Sequence, residues 1–586
     1  MLVHQAVSET LQQLQVTCVF GLMGRANMRL VLSLVQPGDQ AQEPDHHCPR
    51  YVAARHEGAA VNMADAYARA SGRLGVCTVS LGPAVTNCVT GLAEAAAAST
   101  PLLVLTGERP TGRPHSGRDL DQQALFASLG LPTRPLRSPA TAVRDLYGAA
   151  RQALRESRPV VVPVPADLPD RPLDTSAVAD LADLAGLEPP HRSPLTPSPE
   201  SLGDVCAALE AAVRPVVLAG RGALGEGAAD ALRSLADRLG AVLATTMPAS
   251  GLFAGHPFDL GTIGMHGSPL SVDLLADADL VLAFGAGLNP FTTRAGHLLP
   301  AVRHFVRVDV DAAAAPRPPA TSSLVGDSAT TARALESELA RRGVSRNGWR
   351  TEPLRERIAR AVRPLPPRGE GAAGFVEPRT ALALLDEWLP PRRTVVAEPG
   401  HGCGYALEYL TVREPRAAVH LVDSQSIGLG LAAAVGAAAA RPDRITVAAV
   451  GDGSALMSLG ELETLVRHQL PVLVVVINDG AYGAEVRELE LRGLPPASAL
   501  FPVTELGAVA QALGMPAVTV RAPDDLLPVR RWIDAPRGPF LADCRVDPAV
   551  PADWFMEAIG GPTAYLRSPL PLPAVVQDLP TPLEAS

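Results

Sequence analysis

The stretch GDGSALMSLGELETLVRHQLPVLVVVINDGAYG, residues 451–483, decides the fold of this chain. The strand-like run ITVAAV comes directly before it, and leucines at three- and four-residue steps then indicate a helix. The apolar run PVLVVVI follows and is typical of a strand that is buried on both faces. Strand, helix and strand in this order predict one βαβ unit of a parallel sheet.

Each of the two predicted strands ends in a turn that contains an acid and a glycine. Asp452 and Gly453 follow the first strand, and Asp479 follows the second. In a doubly wound sheet such turns lie together at the carboxyl ends of the strands, where these folds bind ligands. Two carboxylates beside backbone N–H groups suit Mg²⁺ and a diphosphate, and Ser454 can donate a hydroxyl to the phosphates. Either turn alone would more simply be an ordinary turn, but their spacing and context favour a ligand site.

The stretch resembles the thiamine-diphosphate (ThDP) motif of the superfamily of acetolactate synthase, benzoylformate decarboxylase and pyruvate decarboxylase. In that motif GDG is followed, one strand later, by two asparagines. The resemblance implies that the Mg²⁺ ligands are Asp452, Asp479 and the backbone carbonyl of Ala481. It implies cofactor contacts by Gly451, Asp452, Gly453, Ser454, Asp479, Ala481, Tyr482 and Gly483. Asp479 departs from the family pattern, in which an asparagine stands, and it adds a negative charge beside the diphosphate.

Composition narrows the possible functions. The 586 residues are 47% hydrophobic and 19% charged, which is typical of a soluble protein of several domains. A net charge of −10 argues against a nucleic acid or a membrane surface as partner. The chain contains no lysine, which excludes Schiff-base chemistry on a lysine and a P-loop lysine. Seven cysteines without a C-x-x-C pair, and an N-terminus without a signal pattern, predict a cytoplasmic protein.

The order of predicted elements indicates three α/β domains, and we predict three doubly wound parallel sheets. The predicted domains are residues 1–180, 198–345 and 375–560, followed by a Pro-rich tail at 561–586. This layout resembles the pyrimidine-binding, Rossmann-like central and diphosphate-binding domains of the superfamily. The longest uncharged stretch, residues 424–440, is rich in glycine and alanine and indicates a close-packed helix rather than a membrane span.

The segment around Glu57 resembles the catalytic glutamate segment of the superfamily. RHEGA at residues 55–59 is followed by ADAYARASG at residues 64–72. The resemblance implies that Glu57 binds the pyrimidine ring of ThDP and promotes loss of the thiazolium C2 proton. Taken alone, a glutamate at the start of a helix is usually a surface acid stabilised by the helix dipole.

Two further turns of the first domain resemble parts of the superfamily's active site. SLGPAVTN resembles the glycine–proline turn near the cofactor, which implies cofactor contacts by Pro83 and Asn87. A plain helix N-terminus is the alternative. GLMGRAN resembles the turn on the substrate side, which implies substrate contacts by Gly24 and Arg25. For Arg25 the alternative is an arginine in solvent.

Three candidate catalytic residues favour different branches of the superfamily. His115 falls in the loop that carries active-site histidines in the decarboxylases, and Gln122 matches a glutamine of the acetolactate synthases. Both are also candidates for substrate binding. Glu485 coincides with a catalytic glutamate of pyruvate decarboxylase, and the alternative is an exposed acid in a charged helix.

Two turns of the third domain complete the predicted site. AEPGHGCGYAL looks like the turn that holds the diphosphate, which implies backbone contacts by Gly402 and Cys403 and substrate contact by His401. We expect Cys403 to be a buried small residue rather than a reactive thiol. In SQSIGLG, Ile427 matches the aliphatic wedge between the two rings of ThDP, and Gln425 matches the residue whose carbonyl accepts from the cofactor.

The middle domain carries a weaker signal for a second cofactor. Residues 220–225 fit G-x-G-x-x-G, but the next predicted strand, residues 241–246, ends without the acid that binds a ribose, so we expect no NAD site. Acetolactate synthases bind FAD across this domain, and GMHGS at 264–268 resembles their segment. Relatives without flavin share the architecture, so FAD stays open as an additional cofactor.

The resemblance implies a reaction and an assembly. The reaction is ThDP- and Mg²⁺-dependent decarboxylation of a 2-oxo acid, after which the enamine is protonated or added to a second carbonyl. Since sites in this superfamily lie between chains, a homodimer or homotetramer is expected. Two alternatives stay open: a catalytically silent paralogue that binds ThDP or serves as a regulatory subunit, and a ThDP-dependent C–C lyase acting on an acyl-CoA or a hydroxyketone.

Overall fold

The computed structural model describes residues 1–35, 49–113, 119–184, 194–312, 320–346, 348–361 and 367–560. Within these ranges the strands form three parallel sheets with flanking helices, which confirms the predicted α/β fold class. Every helix in the same ranges is too short or too polar to cross a lipid bilayer.

The N-terminal sheet has five parallel strands: β1 (Cys18–Gly21), β2 (Arg50–Ala53), β3 (Gly75–Val79), β4 (Leu102–Glu108) and β5 (Pro159–Pro165). Their order across the sheet is β2-β1-β3-β4-β5, so the direction of winding reverses between β1 and β3. The helices of this domain are α1 (Val3–Gln13), α2 (Met28–Leu34), α3 (Glu57–Ser71), α4 (Pro83–Thr86), α5 (Val89–Ala97), α6 (Gln122–Ser128), α7 (Ala142–Glu156) and α8 (Thr175–Leu184).

The central sheet has six parallel strands: β6 (Pro215–Ala219), β7 (Val242–Thr245), β8 (Asp259–Thr262), β9 (Leu280–Phe284), β10 (His304–Asp309) and β11 (Ser322–Val325). Their order is β11-β10-β9-β6-β7-β8, the arrangement of a Rossmann fold. Its helices are α9 (Pro199–Ala211), α10 (Ala228–Leu239), α11 (Pro269–Asp277), α12 (Pro290–Thr293), α13 (Ser328–Arg341) and α14 (Glu352–Ala361). Leu354 and Ile358 of α14 are buried in the central core.

The C-terminal sheet also has six parallel strands: β12 (Arg393–Ala397), β13 (Ala418–His420), β14 (Ile445–Gly451), β15 (Val472–Asn478), β16 (Ala517–Val520) and β17 (Phe540–Arg545). Their order is β13-β12-β14-β15-β17-β16, so the winding reverses between β12 and β14. Its helices are α15 (Pro378–Trp388), α16 (Gly404–Tyr409), α17 (Gly430–Ala440), α18 (Asp452–Met457), α19 (Gly460–Arg467), α20 (Gly483–Leu491), α21 (Leu506–Ala512), α22 (Leu527–Asp534) and α23 (Asp553–Gly560).

The single helix indicated after Gly451 is in fact two helices. The chain leaves helical geometry at Ser458, where φ is −125° and ψ is 26°. Leu456, in α18, is 39% exposed, whereas Leu462 and Leu465, in α19, are buried. The regular spacing of the leucines therefore predicted one helix where the structure has two, and the two helices present different faces to the core.

The N-terminal and C-terminal domains share one hydrophobic core, in which α3 packs on α17. Gly436 of α17 has no room for a side chain, because a Cβ there would lie under 3.0 Å from the carbonyl oxygen of Met63. Residues 430–440 of the predicted stretch 424–440 thus form a close-packed helix, whereas residues 424–429 precede it and are not helical. This packing places the start of α17 next to the N-terminal domain.

Candidate active site

The two predicted metal ligands follow neighbouring strands, since Gly451 of β14 pairs with Ile477 of β15. Asp452 begins α18 and is 2% exposed, and the N–H of Gly480 donates to its Oδ2 over 3.1 Å. Asp479 follows β15 directly, and the N–H of Ala481 donates to its Oδ1 over 3.1 Å. The parallel sheet therefore brings the two carboxylates to one edge, as the sequence predicted.

Burial makes this pair of carboxylates costly to ionise. Burial raises the pKa of Asp452 to about 7, and the negative charge of Asp479 adds to the effect. Burial raises the pKa of Asp479 to about 6. The nearby cation, Arg487, donates to Glu490 and to the carbonyl of Pro548. A buried and a half-buried carboxylate on adjoining turns, both with raised pKa values, fit a divalent metal.

The protein side of this centre has few ligands. Across the described ranges, no group of three or more His, Cys, Asp or Glu side chains is arranged to hold a metal ion. Mg²⁺ commonly takes one or two carboxylates and completes its shell with phosphate oxygens and water. Asp452 and Asp479 match the number of protein carboxylates that such an ion commonly takes.

Glycine is required by close contacts at two positions of the site. A Cβ on Gly453 would lie 2.7 Å from Cε1 of Tyr482, whose ring stacks edge-on against Phe501. A Cβ on Gly483 would lie 2.6 Å from Oδ2 of Asp479. These two glycines leave space for the aromatic ring and for the carboxylate, respectively.

Glu398 is a buried carboxylate directly after β12 that was not predicted from the sequence. It accepts from the N–H groups of Gly428, Leu429 and Gly430 over 3.0–3.1 Å at the start of α17. The hydroxyl of Ser454 also donates to Glu398, and its oxygen accepts from the N–H of Gly428 over 2.8 Å. In this geometry the single proton of Ser454 goes to Glu398 and not to a phosphate. The signal for Glu398 was an acid directly after the apolar strand TVVA.

The glycine-rich turn after β12 packs tightly on the metal turns. A Cβ on Gly402 would lie under 3.0 Å from the side chain of Ile477. Cys403 is 1% exposed, and burial raises the pKa of its thiol, which therefore stays protonated. His401 accepts from the N–H of Ala552 at Nε2 over 2.7 Å, and burial lowers its pKa to about 4. We therefore assign a neutral ring with its proton on Nδ1.

A cavity of about 1560 Å³ lies over these turns and extends to the central domain. It is lined by every predicted site residue of the third domain: His401, Gly402, Cys403, Gln425, Ile427, Gly451, Asp452, Gly453, Ser454, Asp479, Ala481, Tyr482, Gly483 and Glu485. Glu485 is exposed on the first turn of α20. The structure thus gathers four sequence segments at one place.

A second cluster of predicted residues lies at the carboxyl ends of the N-terminal strands. Glu57 begins α3 and is half-buried, and Nδ2 of Asn87 donates to its Oε2 over 3.0 Å. Gln122 is buried, and its Nε2 donates to the carbonyl of Gly107 in β4 over 2.8 Å. The first contact joins the turns after β2 and β3 at Glu57, and the second holds Gln122 at the end of β4.

The turn after β1 packs on the turn after β3. The N–H of Gly24 donates to Oδ1 of Asn27 over 2.7 Å, and a Cβ on Gly24 would lie 2.6 Å from Cβ of Ser80. Arg25 and Pro83 are exposed. The position of His115 lies outside the described residues.

Family comparisons match all three parts of the chain. Models described as thiamine pyrophosphate enzyme match the N-terminal TPP-binding domain at residues 1–127, the central domain at 202–335 and the C-terminal TPP-binding domain at 399–544. The acetolactate synthase large subunit of Parasynechococcus marenigrum is 30% identical over 73% of this chain and 69% of its own length. The chain belongs to the thiamine pyrophosphate enzyme family.

Other members of this family that resemble the chain differ in reaction. The sulfoacetaldehyde acetyltransferase of Castellaniella defragrans is 28% identical over 91% of this chain and 90% of its own length. The ThDP-dependent 4-hydroxybenzoylformate decarboxylase of Rhodococcus jostii RHA1 superposes with a TM-score of 0.76 at 23% identity, covering 93% of this chain and 99% of that one. The latter likeness supports the fold alone.

In this thiamine pyrophosphate enzyme the predicted site forms two halves within one chain. Among the residues that the structure describes, the cavity with Asp452 is lined by none of the N-terminal candidates: Gly24, Arg25, Glu57, Pro83, Asn87 and Gln122. Instead, the loop before Glu57 binds α19, where the N–H of Arg55 donates to Glu461 over 3.0 Å. The glutamate cluster and the carboxylate pair therefore face different places on a single chain.

The G-x-G-x-x-G segment of the central domain serves backbone packing. The N–H groups of Gly220 and Gly222 donate to the carbonyls of Phe284 and Gly285 over 2.8 and 2.9 Å. A Cβ on Gly222 would lie 2.8 Å from Cα of Gly285. These two N–H groups therefore already donate to backbone carbonyls of β9 and of the residue that follows it.

Proposed function

We propose that this thiamine pyrophosphate enzyme uses ThDP and Mg²⁺ to decarboxylate a 2-oxo acid and then protonates the product or joins it to a second carbonyl. The observation that carries the proposal is a pair of carboxylates, the buried Asp452 and the half-buried Asp479, at the ends of neighbouring strands. Such a pair is suited to a divalent metal that also binds a diphosphate. The relatives include acetolactate synthases, which favours the carboligating branch.

In this proposal the chain's own residues hold and orient the cofactor. Asp452 and Asp479 would bind the metal, the turn at Gly402 and Cys403 would contact the diphosphate, and Ile427 would contact the rings of the cofactor. When bound, ThDP would supply a nucleophilic carbon that adds to the ketone, and its thiazolium ring would accept the electron pair left by departing CO₂. The neutral His401 lines the cavity and has a donor at Nδ1, from which a substrate carbonyl or carboxylate could accept a hydrogen bond.

Glu57 enters the proposal as the residue that exchanges a proton with the pyrimidine ring. The amide of Asn87 donates to its carboxyl over 3.0 Å and orients it. Because Glu57 and Asp452 face different places on one chain, we propose a homodimer in which Glu57 of one chain completes the cavity of the other. Met23, in the turn after β1, and Met28, at the start of α2, are exposed, as expected of a surface that a second chain covers.

The reaction is tested by a screen for CO₂ release. Purified protein with ThDP and Mg²⁺ is offered a panel of aliphatic and aromatic 2-oxo acids, with and without an aldehyde or a second 2-oxo acid as acceptor. We expect at least one substrate to release CO₂ in a manner that needs both ThDP and metal, and Asp452→Asn to abolish the release. Binding of ThDP without CO₂ release from any member would favour the silent paralogue instead.

The shared site is tested by complementation between two inactive variants. Glu57→Gln and Asp452→Asn are each expected to be inactive alone. In a mixed dimer of the two, one site carries both changes and the other carries neither, so about half of the sites regain activity. If each site lay within one chain, mixing would restore nothing, and the dimer proposal would be wrong.

A further inference from the structure

Two buried glutamates hold the two ends of the segment Asp423–Gly430, which carries Gln425 and Ile427. Glu94, on α5 of the N-terminal domain, is 0% exposed. The N–H and the hydroxyl of Ser424 donate to its Oε2 over 2.6 and 2.7 Å. The N–H of Asp423 donates to its Oε1 over 3.3 Å. The first end of the segment is therefore attached to another domain.

The second end of the segment is attached to Glu398, which is 1% exposed. Three consecutive N–H groups, from Gly428 to Gly430, donate to its Oε2. Between the two anchors, Gln425 has a φ of +59°, in the left-handed region that side chains disfavour. Such a conformation persists only where the surroundings fix the chain on both sides.

Residues from all three domains meet at the first anchor. Arg69 of α3 donates to Glu94, to Asp423 and to the carbonyl of His420 over 2.8–3.0 Å. Arg221 of the central domain also donates to Asp423, over 3.0 Å. Although burial alone would raise it, the two arginines hold the pKa of Asp423 below its ordinary value, so this carboxylate stays ionised. Glu94 therefore belongs to a connected network and not to an isolated pair.

We infer that Glu94 is a positioning residue for the cofactor, which sets Gln425 and Ile427 from the N-terminal domain of the same chain while Glu398 sets them from the other end. The inference rests on the proposed function, because it takes these two residues to contact ThDP. In the proposed dimer, the N-terminal domain then serves two sites: its own chain's site through Glu94 and the partner's site through Glu57.

The test compares Glu94→Gln with Asp65→Asn. A glutamine at 94 keeps one acceptor oxygen but directs an NH₂ group at the donors of Ser424 or Arg69. Asp65 is also 0% exposed and forms an ion pair with the same Arg69, but its hydrogen bonds and ion pairs within the described part of the chain do not include residues 423–430. It is a matched control for the loss of a buried carboxylate from this network.

Three measurements are made on each full-length variant. The rate of hydrogen–deuterium exchange in peptides covering residues 421–430, measured without cofactor, shows how firmly the hydrogen bonds to Glu94 hold this segment. Titration with ThDP and Mg²⁺ gives the cofactor affinity, and circular dichroism of the bound cofactor reports its conformation. For Glu94→Gln we expect exchange at least tenfold faster in this segment, cofactor affinity at least tenfold weaker and an altered cofactor spectrum. Asp65→Asn should match the wild type within about twofold in all three, even where its melting temperature falls.

Ser424→Ala keeps the test decisive if Glu94→Gln does not fold, since it removes only the hydroxyl donor to Glu94. It should shift exchange and affinity in the same direction by a smaller factor. Wild-type exchange and affinity in both Glu94→Gln and Ser424→Ala would overturn the inference, as would equal losses in Asp65→Asn. If the wild type itself binds no ThDP, the proposed function fails, which the same titration shows separately.

Discussion

Gly483→Ala should weaken metal binding without lowering the stability of the fold. Gly483 begins α20, and a Cβ there would lie 2.6 Å from Oδ2 of Asp479 and 3.2 Å from Nδ1 of His401. Real Cβ atoms essentially never approach closer than 3.0 Å, and ordinary contact begins at 3.4 Å. The carboxylate must therefore move by roughly 0.4–0.8 Å, a large fraction of the ~2.1 Å bond that Mg²⁺ makes to oxygen.

The expected size of the effect follows from this displacement. Changes that misplace a metal ligand cost about 10–100-fold in metal affinity, which corresponds to roughly 1.4–2.8 kcal/mol. The fold should not suffer, because the new methyl group displaces a short flexible side chain and alanine is the better helix former by up to ~1 kcal/mol. We therefore expect weaker metal and cofactor binding at an unchanged or higher melting temperature.

The assay is a titration of Mg²⁺ at fixed ThDP, followed by the change in intrinsic fluorescence, together with thermal unfolding of the cofactor-free protein. Gly460→Ala is the matched control, since Gly460 begins α19 and its Cβ would meet only Arg55, at 3.1 Å. That variant should bind metal as the wild type does. Wild-type metal affinity in Gly483→Ala would refute the placement of Asp479 as a ligand, and a loss of affinity matched by a loss of stability would refute the steric reasoning.

Three other changes test separate parts of the structure. Glu57→Gln should retain ThDP, measured after gel filtration, and lose at least ~100-fold in turnover, since general acid–base groups contribute about 10²–10⁴-fold; full activity would contradict its role. Gly402→Ala should lose roughly 1–3 kcal/mol in urea unfolding, because the new Cβ would meet Ile477 in a central strand, and unchanged stability would contradict that packing. Burial raises the pKa of Asp259 to about 6. In the folded protein this carboxyl therefore keeps a proton that it loses near pH 4 in the unfolded chain. The free energy of unfolding should fall by roughly 2–3 kcal/mol as the pH rises from 4 to 6. Asp259→Asn should lack that part of the pH dependence, which unfolding curves at pH 4.5 and 7.5 would measure.

The buried strands could be predicted from sequence, whereas most of the edge strands could not. β14 and β15 are interior strands whose continuous apolar runs can only be buried on both faces. β8, β11, β13 and β16 lie at sheet edges, have three or four residues each and are partly exposed. Such strands need only one neighbour and carry no distinctive apolar pattern, so a parallel sheet is recognised from its centre outward.

The site residues divide in a similar way. Asp452, Asp479 and Glu57 stand in motifs whose spacing is visible in the sequence, and the structure places the first two at one edge of a sheet. Glu398 and Glu94 carry no motif, because their role depends on N–H groups that lie 30 and more than 300 residues away. Only the tertiary structure shows that these carboxylates have backbone donors to satisfy.

The charges of the site explain why its parts depend on one another. Ionising both Asp452 and Asp479 is energetically unfavourable, as their raised pKa values indicate. The N–H groups of Gly480 and Ala481, which donate to the two carboxylates, offset part of this unfavourable free energy. A divalent cation removes the remaining repulsion and, with it, the repulsion that a diphosphate would meet from the same carboxylates. Because an aspartate stands at 479, where the family motif has an asparagine, we expect the proposed site to need the metal more strongly before the cofactor can bind. The binding of metal and of ThDP should therefore be mutually dependent.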